Sequence, residues 1–232
     1  MKFIIGNWKM NGDMEQKDAM VKALKNVKTE NKVIICLPFT LLYDNKFKIS
    51  VGAQDISEHT NGAYTGDISG QMIKDAGAEY VIVGHSERRF YHQETNDIVR
   101  AKAAAAIQQG LTPIICVGET AAERNTGRTM SVVKKMVLES VPAIGDYIIA
   151  YEPRWAIGKG ITPTKAEITA IHETIFKTLR NIKREKTPIL YGGSVDADNA
   201  TTISGLPHVD GLLIGKASLK PETFLPIINS IK

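Results

Sequence analysis

Residues 150–160 read AYEPRWAIGKG, and within this stretch a buried strand gives way to a loop. The apolar run 147–151 is typical of a buried strand. Pro153 ends that run, because proline has no N–H to donate to a neighbouring strand. Glu152 therefore lies where the strand meets the loop, and residues 153–160 have the small, glycine-punctuated composition of a mobile lid. A lone glutamate at a strand end is more often structural than catalytic, so its neighbours in the fold decide how it is interpreted.

Short apolar runs alternate with polar stretches of helical period on both sides of this segment. The eight apolar runs are residues 3–8, 33–37, 49–53, 80–83, 113–117, 147–151, 188–191 and 211–214. Helical periods cover residues 96–109, 129–139 and 165–184. Capping boxes, which pair Thr120 with Glu123 and Thr164 with Glu167, predict two helix starts. Continuous apolar strands favour a parallel sheet covered on its faces. Periodicity alone does not choose between a closed (β/α)8 barrel and an open doubly wound sheet.

Composition narrows the class of protein. The 232 residues contain no linker and no low-complexity segment, so we expect a single domain over residues 1–232. A net charge of +4 without a run of five or more Lys or Arg does not indicate a nucleic-acid partner. No stretch approaches the roughly 18 apolar residues that span a membrane, and the first residues lack a signal-peptide core. Cys36 and Cys116 lie in apolar runs, which predicts buried free thiols and a reducing, cytoplasmic compartment.

Three further motifs follow other apolar runs. They read NWKMNG at residues 7–12, GHSERR at 84–89 and YGGS at 191–194. Together with residues 150–160, these motifs closely resemble the triosephosphate isomerase family, in order and without large insertions, from Lys2 to about Leu219. The resemblance implies a (β/α)8 TIM barrel, in which eight parallel strands close into a barrel with outer helices. Active sites of this fold lie at the carboxyl ends of the strands.

The resemblance also implies an activity and the residues that perform it. The activity is the interconversion of D-glyceraldehyde 3-phosphate and dihydroxyacetone phosphate through an enediolate, without a metal or an organic cofactor. Glu152 would be the base, His85 the electrophile and Lys9 the stabilising cation, while Asn7 would orient the substrate and Glu87 would pair with the lysine. We expect burial under the lid to raise the basicity of the glutamate. A helix start after the histidine would keep its imidazole neutral.

The phosphate of the substrate would be bound by backbone amides, as is common after the seventh and eighth strands of this barrel. The resemblance assigns this role to Ser194, Gly215 and Lys216, and adds Gly158 from the lid.

Three positions depart from the family pattern. Lys216 stands where a glycine is common, and Arg154 occupies the lid hinge where a small or aliphatic residue is usual. Pro163 has no N–H for the tyrosine that would latch the closed lid, here Tyr191, so that latch is not carried over.

Residues 59–66 resemble the loop by which family members dock onto a second subunit. The resemblance implies a homodimer, with Thr65 reaching residues 7–9 of the partner subunit and Asp67 available to the partner's Arg88.

Without the family resemblance, the residues alone leave two other functions open. A sugar-phosphate aldolase of the Schiff-base type would require a lysine on an inner strand face, whereas the residue after the sixth apolar run is Glu152. A non-catalytic binding protein on the same scaffold would not need Lys9, His85 and Glu152 together.

Overall fold

The computed structural model describes residues 1–44, 46–157 and 161–231, and its centre is a closed barrel of eight parallel strands. The strands are β1 Phe3–Asn7, β2 Lys32–Cys36, β3 Ser50–Ala53, β4 Tyr80–Val83, β5 Thr112–Val117, β6 Ile148–Tyr151, β7 Ile189–Tyr191 and β8 Gly211–Ile214. Each strand pairs with the next one, and β8 pairs with β1 with Gly211 opposite Phe3. The prediction of a closed barrel is confirmed, and no predicted strand end is wrong by more than one residue.

Helices connect the strands on the outside of the barrel. They are α1 Met14–Leu24, α2 Phe39–Leu42, α3 Gly70–Asp75, α4 Ser86–Tyr91, α5 Asn96–Gln108, α6 Ala121–Asn125, α7 Thr129–Ser140, α8 Lys165–Asn181, α9 Ala200–Ser204 and α10 Pro221–Ser230, with a 3-10 turn at Lys216–Ser218. Both predicted capping boxes are present, at the starts of α6 and α8. The prediction that α8 reaches residue 184 was wrong. The chain leaves the helix because Lys183 has a left-handed φ of 59°.

Two layers of apolar side chains hold the barrel together. The inner layer lies within the strand cylinder, and the outer one fills the space between strands and helices. Cys36 and Cys116 belong to the inner layer as buried free thiols, which confirms that prediction. Burial raises the pKa of both thiols, so they stay protonated near neutral pH.

None of the helices in the described ranges combines the length and the apolar character needed to cross a bilayer.

Candidate active site

The predicted site residues come from five different strand ends. Asn7 ends β1, His85 follows β4, Glu152 directly follows β6, Ser194 follows β7 and Gly215 follows β8. Because the strands are parallel and the barrel is closed, their carboxyl ends form one rim. Four residues at this rim are linked by contacts of hydrogen-bond length, two contacts between side chains and one through the backbone N–H of Glu87. They are Lys9, His85, Glu87 and Glu152, and we call them the mouth cluster.

Glu152 is held by two donors at the barrel mouth. Its Oε1 lies 2.9 Å from His85 Nε2, and its Oε2 accepts the Ser86 N–H at 3.0 Å. His85 is the N-cap of α4, where its Nδ1 accepts the N–H of Glu87 at 3.2 Å. A ring nitrogen that accepts a hydrogen bond carries no proton, so the neutral tautomer has its proton on Nε2. His85 therefore donates this proton to the glutamate.

The basicity of Glu152 differs from the sequence-based expectation. Burial, the largest influence, raises its pKa, as expected for a carboxylate that is 3% exposed. The contact with His85, the Ser86 N–H and the charge of Lys9 together outweigh burial, and they hold the pKa below its ordinary value. Burial thus acts in the expected direction, but the sequence-based expectation did not include the contacts that outweigh it. The glutamate becomes a stronger base only when it loses one of these contacts.

Lys9 extends from β1 in an uncommon backbone conformation. Its φ is +54°, a left-handed value that costs a non-glycine residue about 1 kcal/mol or more. The side chain of Asn7 supports this turn, because its Oδ1 accepts the Lys9 N–H at 2.9 Å. The Lys9 ammonium lies 2.6 Å from Glu87 Oε1. Asn7 and Glu87 thus fix the two ends of the lysine, and the amide NH2 of Asn7 can still reach a substrate.

The loops after β7 and β8 approach this cluster closely. A Cβ on Gly192 would lie 3.0 Å from Glu152 Cγ, and one on Gly193 would lie 2.1 Å from the Tyr191 hydroxyl. A side chain at position 193 would therefore displace the Tyr191 hydroxyl, and one at position 192 would force Glu152 to shift by a few tenths of an ångström. A Cβ on Gly215 would lie 3.6 Å from Lys9 Cε, which brings the β8 loop beside the lysine.

The remaining predicted phosphate-site residues lie around these glycines. Ser194 Oγ is 3.5 Å from the Ala156 carbonyl, so the β7 loop touches the start of the predicted lid. Lys216 begins the 3-10 turn after Gly215, and its side chain is exposed. Gly158 lies outside the described residues, and the lid predicted at 153–160 is described only as far as Ile157.

Sequence reasoning missed Glu119, a fully buried carboxylate two residues after β5. It accepts a hydrogen bond from Trp155 Nε1 at 2.8 Å and lies 3.2 Å from the Tyr151 hydroxyl. The Arg124 guanidinium lies over the Trp155 ring, 3.9 Å from its centroid. The hinge of the predicted lid is thus attached to the β5 and α6 region. The available signal was the strand-end position of an acidic residue, the same signal that located Glu152.

Known proteins match this chain over nearly its whole length. A family model described as triosephosphate isomerase matches residues 2–231. The triosephosphate isomerase of Albidiferax ferrireducens is 44% identical over 242 residues, which cover 99% of this chain and 98% of that protein. The one of Afipia carboxidovorans is 46% identical, with 98% and 96% covered. The crystal structure of triosephosphate isomerase from Bartonella henselae has a TM-score of 0.92 at 39% identity, covering 99% of this chain and 98% of its own. With this fold and these matches, the chain belongs to the triosephosphate isomerase family.

Proposed function

We propose that the mouth cluster interconverts D-glyceraldehyde 3-phosphate and dihydroxyacetone phosphate through an enediolate, with Glu152 as the base. The observation that carries this proposal is the contact between Glu152 Oε1 and His85 Nε2, 2.9 Å apart in one barrel mouth with Lys9. A 1,2 proton shift needs a base for a C–H proton, a donor to the carbonyl oxygen and a positive charge near the enediolate. The three side chains supply one group for each need.

The contacts of Glu152 suggest how substrate binding makes it a base. In the structure the His85 N–H is donated to the carboxylate, where it helps to lower the pKa. A substrate carbonyl oxygen that takes this N–H removes one of the influences that oppose burial. The pKa of Glu152 then rises towards the value that burial favours. The same exchange polarises the carbonyl, so one hydrogen bond prepares both reaction partners.

Lys9 and Asn7 complete the proposed chemistry. The lysine side chain is 27% exposed, and an ammonium has three N–H groups, of which Glu87 takes one at 2.6 Å. The other two can stabilise the oxygen charge that develops in the enediolate. Asn7, only 4% exposed, would orient the substrate oxygens through its amide NH2.

The proposed phosphate site consists of backbone amides from the loops after β7 and β8, at Ser194, Gly215 and Lys216. The first N–H groups of the short turn at Lys216–Ser218 are not used by the turn itself and have no side-chain cap, an arrangement that favours an anion. Gly158 would add an amide from the lid.

A coupled isomerase assay on purified protein tests this function. We expect the wild type to be active and Glu152→Gln to lose at least ~10² in kcat with a much smaller change in KM, since the proton acceptor is removed and the shape is kept. Glu185→Gln, an exposed site far from the mouth, is the matched control and should keep wild-type activity.

Near-native turnover by Glu152→Gln would contradict the assignment. An inactive wild type that is trapped by borohydride with substrate would indicate an aldolase, and an inactive one that only binds substrate would indicate a binding protein.

We also propose that the protein is a cytoplasmic homodimer that docks through residues 59–66. The loop protrudes and is mostly exposed, yet it has internal order. His59 stacks on Tyr64 with ring centroids 3.8 Å apart, and Ser57 Oγ donates to Asp67 at 2.6 Å next to the loop. Exposed apolar side chains such as Met10, at 96%, supply a surface that a partner would cover.

Replacing residues 59–66 by a short Gly-Ser turn tests the dimer. We expect the variant to be a poorly active monomer, with the wild type dimeric by light scattering at micromolar concentration. Activity that depends on protein concentration would support a site completed by the partner. A monomeric, fully active wild type would contradict the proposal.

A further inference from the structure

Three surface grooves lie outside the mouth cluster, and one of them adjoins the hinge of the predicted lid. This groove, which we call the hinge groove, has a volume of about 590 Å³. It lies between the start of α5 and helices α6 and α7, with the lid hinge at one edge. Its charged lining residues are Arg89, Glu94, Glu123, Arg128, Lys135 and Arg154. Its volume is in the range of small-molecule sites.

The two carboxylates of the hinge groove are already occupied. Glu123 Oε2 accepts both the N–H and the hydroxyl of Thr120 at 2.8 Å, as part of the capping box. Glu94 Oε1 lies 2.6 Å from Arg88 and 2.5 Å from Lys102. The charge of Glu123 still attracts Arg154 and Arg128, but no hydrogen bond joins it to either of them in the described residues, and two carboxylates face four cations.

The cations of the groove have no close carboxylate partner among its lining residues. The Arg89 guanidinium is bound only by neutral acceptors, among them the carbonyls of Gly84 and Cys116. Burial lowers the pKa of Arg89, whereas the charges of Glu94 and Glu152 raise it. The charge of Arg154 lowers it as well, so these two cations repel each other. Within residues 1–44, 46–157 and 161–231, Arg154 forms no hydrogen bond or ion pair.

The α7 side of the groove adds two exposed cations. Arg128 donates its Nε to Thr126 Oγ1 at 2.9 Å, and the other N–H groups of its guanidinium have no hydrogen-bond partner among the described residues. The Nζ of Lys135 lies 3.9 Å from Glu139 Oε1, a long distance for an ion pair. Helix α5 begins in the groove at Asn96, and its N-terminus adds partial positive charge on the opposite side.

We propose that the hinge groove binds a small phosphoryl anion, separate from the proposed substrate site, through Arg154, Arg128 and Lys135. Guanidinium groups with free N–H pairs match phosphoryl oxygens in geometry as well as charge. The anion also relieves the repulsion between Arg89 and Arg154. Arg154 directly follows the first residue of the predicted lid, whereas Arg128 and Lys135 belong to the α7 side of the groove. An anion bound by all three therefore connects the lid hinge to α7.

Calorimetric titration with inorganic pyrophosphate tests the proposal. The titration is made at constant ionic strength and without triose phosphate, because such an anion would compete for the groove. Pyrophosphate binding at the mouth would persist in variants of the groove residues. We expect about one pyrophosphate per chain for the wild type, and an affinity at least ~10-fold lower for the double variant Arg128→Gln/Lys135→Gln, which loses two charge-assisted contacts. Arg154→Val should weaken binding by a similar factor.

The matched control is Lys134→Gln/Lys186→Gln, which removes the same charge from exposed positions outside the groove. Its affinity should stay within about twofold of the wild type, because distant exposed charges are screened by salt. Absence of pyrophosphate binding to the wild type would overturn the proposal. Equal weakening in both double variants would also overturn it, since binding would then follow net charge alone, and so would unchanged affinity in Arg154→Val.

Discussion

The start of helix α4 belongs to two groups of charged residues that are built differently. On one side is the mouth cluster, where His85 and Glu87 meet Glu152 and Lys9. On the other side is what we call the ion-pair cluster, which consists of Asp55, Arg88, Glu94 and Lys102. There each carboxylate contacts both cations, at distances of 2.5–2.8 Å. The mouth carboxylate Glu152, in contrast, is held by a neutral imidazole and a backbone N–H.

The different partners of the two clusters suit them to different roles, the ion-pair cluster to stability and the mouth cluster to reactivity. Removal of one member of the ion-pair cluster leaves a buried charge without its partner, a change that costs several kcal/mol. The donors to Glu152 are neutral, so a substrate that takes the histidine N–H leaves no unpaired cation, and the effect falls on the carboxylate, whose pKa rises. The mouth cluster can therefore exchange partners during a reaction, whereas the ion-pair cluster fixes the position of α4 on which the mouth depends.

The largest effect should follow from removing His85. We expect His85→Ala to lower kcat by about 10² or more, the scale of losing one preorganised donor. It should also raise the pKa of Glu152, because burial is then opposed only by the Ser86 N–H and Lys9. Carboxyl-carbon NMR can follow this titration, with the signal assigned by its absence in Glu152→Gln.

His85→Gln sharpens the test, since its amide can still donate to Glu152. The pKa of Glu152 in this variant should lie closer to that of the wild type. If the pKa is the same in His85→Ala and the wild type, the histidine does not hold the carboxylate in its less basic form.

Substitutions in the ion-pair cluster should change the free energy of unfolding. We expect Glu94→Gln to lower the free energy of unfolding by about 3 kcal/mol, since Arg88 and Lys102 lose a buried counterion. Glu87→Gln is the control in the mouth cluster. Its carboxylate is 44% exposed, so its loss should cost less than about 1 kcal/mol. Denaturant unfolding at one fixed protein concentration measures both, and equal losses would remove the distinction between the clusters.

The pH dependence of this difference has a defined sign. Burial raises the pKa of Glu94, but Lys102 and Arg88 outweigh it, and the folded pKa lies below the ordinary 4.5. A carboxylate with a lowered folded pKa contributes stability that is fully present above its ordinary pKa and is lost as the pH falls through the folded value. The gap between wild type and Glu94→Gln should therefore be constant near neutral pH and close below pH 4.5.

Sequence reasoning succeeded where the determining interactions are local. Pro153 marks the end of β6 and thereby locates Glu152, and Thr120 with Glu123 marks a helix start three residues apart. Sequence reasoning failed where two interacting residues lie far apart in the chain and become neighbours only because the barrel closes. Asp55 and Lys102 are 47 residues apart, and nothing near either one indicates the pairing.

The pKa of Glu152 is a second example of this limit. Its burial could be predicted from its neighbours in the sequence, but the lowering influence comes from His85 and Ser86, which lie on the β4–α4 connection. The family pattern supplied the identity of these residues but not the contacts that they make with Glu152.

The smallest effect should come from Lys216, a cation that belongs to neither cluster. Its side chain is exposed at the start of the turn after Gly215, and a residue at a helix start directs its side chain away from the anion that its N–H binds. An exposed charge acts weakly and is screened by salt. We therefore expect Lys216→Gly to change KM by less than ~5-fold, about 1 kcal/mol or less, and the change to shrink at high salt. Lys216→Gln, which keeps a side chain without the charge, separates loss of the cation from the added backbone freedom of glycine. A tenfold rise in KM that persists at high salt in both variants would show that the ammonium binds the phosphate directly, in which case an exposed charge at this rim would act like a buried one.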